Sequence, residues 1–148
     1  MKNTEQVIRH FFDDYTKCFN ASLRDGAAVD TKAVRRSFAD YFVESSPTGV
    51  QGGKNGLLFG FVIPRGFRHF RRIGAAGIRL AELELTRIDD HHYMARAQWD
   101  SAYRKKNGDQ RVIRFDVVYF LTLHSGSPKI FSYITADEKK LLRENGIA

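Results

Sequence analysis

Tyr93-Met94-Ala95-Arg96-Ala97-Gln98-Trp99-Asp100-Ser101-Ala102-Tyr103 alternates without a break. Its odd positions, Tyr93, Ala95, Ala97, Trp99, Ser101 and Tyr103, are aromatic or small, while the even ones include Arg96, Gln98 and Asp100. A period of two sends alternate side chains to opposite faces, so this stretch predicts a strand with Trp99 turned inward and the charged set outward. Lys106-Asn107-Gly108-Asp109 reads as a hairpin turn. Beyond it Ile113, Phe115, Val117, Tyr119, Leu121 and Leu123 share one face, and Arg114, Asp116, Val118, Phe120 and Thr122 the other. The first set is expected to join Trp99 inside. A shorter strand is expected over Arg79–Ile88, turning at Asp89-Asp90-His91-His92, and a last one over Lys129–Thr135. The C-terminal half therefore reads as an antiparallel meander.

The N-terminal half has a different period. Asn3 or Thr4 opens a helix, with Asn3 and Gln6 at capping-box spacing. Val7, Ile8, Phe11, Phe12, Tyr15, Cys18 and Phe19 then recur every three or four residues as one apolar stripe. Glu5, Arg9, Asp13 and Lys17 alternate in sign on the opposite side. After Leu23–Val29, Asp30 caps a second helix in which Val34, Phe38 and Tyr41 are expected to pack inward, the chain passing from helix to strand before Pro47. Ser46–Gly56, with four glycines, reads as a turn-rich segment, and a third helical region is expected to break at Pro64. A final helix opens with Thr135-Ala136-Asp137-Glu138, a capping-box pattern, and stops at Gly146.

Helices first and a meander afterwards is an α+β pattern, with one face of a bent sheet covered. The 148 residues, 43% of them hydrophobic, suffice for one core, and no repeat or linker divides them, so a single domain over 1–148 is expected. The longest apolar run, Leu57–Ile63, is far short of the roughly 20 residues that span a bilayer. Met1–Gln6 has no apolar stretch of the signal-peptide kind, which makes the expected location cytoplasmic with no membrane partner. Cys18 is the only cysteine and lies on the apolar stripe, so it reads as an inert thiol. His91 and His92 are adjacent in a turn, and Gly49–Lys54 has the wrong spacing for a phosphate loop. No metal and no cofactor is expected.

Two stretches, YTKCFNAS at Tyr15–Ser22 and FADYFVESSPTG at Phe38–Gly49, resemble in order and spacing the opening of the nuclear transport factor 2-like superfamily. That superfamily includes ketosteroid isomerases and SnoaL-like polyketide cyclases. The resemblance implies N-terminal helices packed on a strongly curved, mostly antiparallel sheet, forming a cone with an internal pocket. It places Tyr15 where the isomerases carry a tyrosine donor to the oxyanion, Tyr119 at the second donor, and Ser46, just before a proline, at the carboxylate base. A serine hydroxyl is no base near neutral pH, and no carboxylate falls in the expected inner set. The acids of limonene epoxide hydrolases and the histidines of scytalone dehydratases, which share the fold, have no counterparts on the inner face either.

Ligand-binding candidates are thus Tyr15, Ser46, Trp99, Tyr103 and Tyr119, each tyrosine reading equally as a core aromatic whose hydroxyl has a partner. Net charge is +7, and Lys54–Leu80 holds six basic residues and no acidic one. Arg65, Arg68, His69 and Arg72 share one helical face, which reads as a solvated surface; no nucleic-acid motif accompanies it, so nucleic acid is not an expected partner. Three functions stay open. One is a binding domain for a small apolar or carbonyl-bearing molecule. Another is an isomerase, lyase or cyclase using Tyr15 and Tyr119 as donors. The third is a homodimeric interaction module, suggested by Val118 and Phe120 on the outer sheet face.

Overall fold

The computed structural model describes residues 3–24 and 28–147, so the Met1-Lys2 start and the middle of the Leu23–Val29 connection lie outside the described residues. The chain runs α1 (Thr4–Ser22), α2 (Thr31–Arg36), β1 (Phe38–Ser46), β2 (Gly49–Lys54), α3 (Leu57–Arg72), β3 (Ala75–Asp89), β4 (His92–Arg104), β5 (Gln110–Thr122), β6 (Lys129–Thr135) and α4 (Glu138–Glu144). The strands form one six-stranded sheet in the order β2-β1-β6-β5-β4-β3. Every neighbouring pair is antiparallel except β1 with β6, which is parallel. The sheet is curved, with the long helices on its concave face, and the whole is the α+β cone expected from the pattern of elements.

The alternation in β4 and β5 holds residue for residue. Trp99 faces Phe115, Ala97 faces Val117 and Ala95 faces Tyr119, all toward the core. Phe12 and Ile8 of α1, both fully buried, pack against this surface. The fully buried Ala95 and Ala97 leave room for them there. Asn3 caps α1 by accepting from the Glu5 N–H at 2.9 Å. Arg9 bonds the Leu83 carbonyl at 3.2 Å, tying the polar flank of α1 to β3. Leu23, Ile63 and Phe67 form a second cluster between α1 and α3.

Four local expectations are corrected. The second helix ends at Arg36, and Phe38–Ser46 is strand β1. The spacing of Val34, Phe38 and Tyr41 imitates a helix, but pairing with β2 and β6 prevails, and Tyr41 points outward at 68% exposure. The glycine-rich Gly49–Lys54 is not merely turns but the edge strand β2, where Gly52 lies so close to β1 that a Cβ would meet the Phe42 carbonyl. Helix α3 continues through Pro64. An interior proline costs about 3 kcal/mol, which burial of Ile63 and Phe67, at about 1.5–3 kcal/mol each, offsets. The last helix is capped by Asp137, whose carboxylate accepts from the Lys140 N–H, while Thr135 ends β6. The basic face of α3 is as expected, Arg65, Arg68, His69 and Arg72 all being exposed.

Among the described residues no helix covers the convex face of the sheet. Arg79 and Arg114 converge there on Asp100, and Arg114, the stronger influence, holds that carboxyl down at about 2. Farther along, Val43, Val118, Phe120, Phe131 and Ile134 make the same face apolar, with the Phe120 and Phe131 rings 6.2 Å apart.

Phe12 joins α1 to the inner sheet. Phe12→Ala is expected to cost about 3–5 kcal/mol of stability, measured by urea unfolding; a loss below 1 kcal/mol would show that α1 is not anchored there.

Candidate functional site

The wide end of the cone is not filled. A cavity of about 310 Å³ lies there, walled by α1, the C-terminal part of β4, β5, β6 and one face of α4. Tyr15, Trp99, Tyr103 and Tyr119 all line it, so the structure brings four of the five candidate residues together. Ser46 is not among the lining residues. It sits at the β1–β2 turn with its hydroxyl 2.9 Å from that of Thr48.

Two residues missed by sequence reasoning take part instead. Glu44 is on the inner face of β1 with Phe42, one strand step before Ser46, and its Oε2 accepts a hydrogen bond from the Tyr133 hydroxyl at 3.1 Å. Glu138 opens α4 and reaches the same cavity at its mouth, where the residue is exposed to solvent. Parity along Phe42-Val43-Glu44 would have found the first, had the segment been read as strand. The second was hidden in what looked like a capping box. Carboxylates therefore do reach the interior, contrary to the expected inner set.

The hydroxyls are ordered by burial and by one another. Trp99, 2% exposed, donates its Nε1–H to the Tyr119 oxygen at 3.1 Å. The Tyr15 ring lies edge-on beside Tyr119, the two centroids being 6.3 Å apart. Burial pushes the Tyr15 phenol up to about 12, the neighbouring Tyr119 hydroxyl opposing only part of that rise. Tyr119 is raised well above the ordinary tyrosine value, again chiefly by burial. Burial, then the charge of Glu44, also raises Tyr133, so all three phenols are neutral donors near neutral pH. Glu138 is raised by burial and then by the charge of Glu44.

These parts can do two things: hold an apolar molecule against aromatic walls, and place a neutral donor opposite carboxylates. Among the described residues no group of three or more His, Cys, Asp and Glu side chains is placed to hold a metal ion. None of their helices is long and apolar enough to cross a membrane. Cys18 stays away from the cavity lining, and burial pushes its thiol up, as an inert role requires.

A family model described as NTF2-like protein (DUF6841) matches residues 4–138, and the chain belongs to that family. No curated protein matches the sequence. Among solved structures, similarity extends to a ketosteroid isomerase-like protein from Erwinia carotovora atroseptica, with 16% identity, TM-score 0.64 and coverage of 92% of this chain and 97% of the other. Aln2 from a Streptomyces species is similar at 15% identity and TM-score 0.68, with 95% of both chains covered. An NTF2-like protein with a cystatin-like fold from Novosphingobium aromaticivorans shows 12% identity and TM-score 0.68, with 93% of this chain and 88% of the other covered. At such identities the likeness is one of fold.

Tyr119→Phe removes the acceptor of a buried indole N–H and is expected to cost about 1–3 kcal/mol of stability, whereas Tyr15→Phe, which strands no such donor, should cost about 1 kcal/mol or less. Urea unfolding of both variants checks this; equal stabilities would show that the Trp99–Tyr119 bond contributes nothing to the fold.

Proposed function

Given a chain of the NTF2-like family with this cavity, we propose that it binds a small, largely apolar molecule carrying a carbonyl or similar acceptor, with Tyr15 donating to that acceptor. The observation that carries the reading is the cavity itself. Its volume of about 310 Å³ falls at the lower end of the roughly 300–1,000 Å³ usual for ligand sites, and its lining is aromatic with a few convergent polar groups. Filled cores of this size do not keep such a space. Trp99, Tyr103 and Tyr119 then serve as wall, the Tyr119 ring packing edge-on beside that of Tyr15. Ser46, outside the cavity, has no part in this reading.

Proton-transfer catalysis of isomerase, lyase or cyclase type is a second reading, and Glu44 is the observation that favours it. A carboxylate across the cavity from a neutral phenol is the pairing that enolisation uses: the base takes a proton from carbon while the donor steadies the oxygen. Under this reading Glu44 fills the role that sequence resemblance assigned to Ser46.

Trp99 emission reports on both. A panel of steroids, polyketide-like aromatics and terpenoids should contain a compound that changes it, and Tyr15→Phe should weaken that binding by about 0.5–1.5 kcal/mol, the net worth of a neutral hydrogen bond. Chemical conversion of the bound compound, lost in Glu44→Gln, would select the second reading. A panel that leaves Trp99 untouched would defeat the binding proposal.

Assembly is proposed separately. The uncovered convex face, with Val118, Phe120 and Ile134, is the surface that a second copy would cover, giving a homodimer. Sedimentation should show a dimer at micromolar concentration that Phe120→Asp dissociates, and a monomer unchanged by the substitution would refute it.

A further inference from the structure

The protein carries a net charge of +7 with 24 lysines and arginines, yet among the described residues no Lys, Arg or His lines the cavity. Its acidic lining side chains are Glu44 and Glu138. They approach from different elements, β1 and α4, and are near enough for the charge of Glu44 to be felt at Glu138. Neither is paired with a cation among the described residues. Among the described residues the hydrogen-bond partner of Glu44 is the neutral Tyr133 hydroxyl.

A half-buried carboxylate, Glu44, with the exposed Glu138 near enough to feel its charge and no counter-ion for either, is unfavourable, because Glu44 loses water and each gains a like charge. The walls beside them are aromatic, and the negative face of an aromatic ring attracts cations, more strongly as they are desolvated. We propose that the molecule bound in this cavity carries a protonated amine, which sits at the mouth between Glu44 and Glu138 while its apolar body lies against Trp99 and Tyr15. This rests on the binding reading above and adds to it the charge of the ligand. The amine would cancel the repulsion between the two carboxylates. At the same time the arginine-rich exterior would disfavour approach by cations in general, so the preference is built by local contacts rather than by the long-range field.

A matched set of probes separates charge from shape: 4-phenylbutylamine, 4-phenylbutan-1-ol and 4-phenylbutanoate, each titrated calorimetrically at pH 7 into the protein. The amine is expected to bind at least tenfold more tightly than the alcohol, and the carboxylate more weakly than the alcohol. In the doubly substituted Glu44→Gln, Glu138→Gln protein, shown to be folded by circular dichroism, the ratio of amine to alcohol affinity should fall to about one. Alcohol binding that equals or exceeds amine binding overturns the proposal while leaving the cavity a binding site. An amine preference that survives the double substitution also overturns it. If none of the three binds, the proposal falls together with the binding reading on which it rests. Should the double variant fail to fold, the comparison of the three probes on the unaltered protein still decides.

Discussion

Asn20 makes two hydrogen bonds to the backbone of one residue: its Nδ2 donates to the Ile78 carbonyl at 2.9 Å, and its Oδ1 accepts from the Ile78 N–H at 2.7 Å. These satisfy Ile78 where β3 bulges between Ala75 and Gly77, and they fix the last turns of α1 to the end of the sheet. Gly77 beside them leaves the room, since a Cβ there would come within 3.3 Å of Asn20 Oδ1. With that end held, the residues one and five positions earlier in α1, Phe19 and Tyr15, are aimed into the cavity. Two part-buried hydrogen bonds, each worth about 0.5–1.5 kcal/mol, thus do more for the geometry of the site than for the overall stability.

The cavity itself follows from an uneven distribution of side-chain size. At the narrow end Ala95 and Ala97 lie under Phe12 and Ile8, and the large side chains of α1 close the space completely. At the wide end the large residue, Trp99, is on the sheet instead, and α4 adds Glu138, Leu141 and Leu142. Nothing there is long enough to fill the gap. A buried serine, Ser101, sits in that wall, where a core built for packing alone would carry an aliphatic side chain.

Most of the fold was legible because its strongest signals are long. Eleven residues of strict alternation from Tyr93 cannot be mistaken for a helix, and they fixed Trp99, Tyr103 and, through the next strand, Tyr119 on one face. β1 was not legible for the opposite reason. Its inward residues Phe38 and Phe42 are four apart, a spacing that strand and helix share, and only the partners β2 and β6 decide between them. The site was misread where the fold was. Once Phe38–Tyr41 is taken as helix, Glu44 has no face, and the proline after Ser46 draws attention to the wrong residue. Glu138 was lost differently: an acid in the first turn of a helix has a sufficient local explanation, and only the packing of α4 over the cone shows that it also faces the interior.

Charge, finally, is segregated by the fold rather than by the sequence. Along the chain Glu44 and Glu138 are ninety-odd residues apart; Lys139 and Lys140 directly follow Glu138, and Lys54 is the first basic residue after Glu44. Alternation along β1 and the start of α4 direct the acids inward, while those lysines stay at the surface as long flexible cations in water. The result is a basic exterior around an acidic cavity, a separation that no composition or window average contains. Solvent screens the lysines and the exposed Glu138 over about 8–10 Å, whereas Glu44 lies half-buried between cavity walls that screen it less, so inside the cone its field counts for more than its single charge would outside.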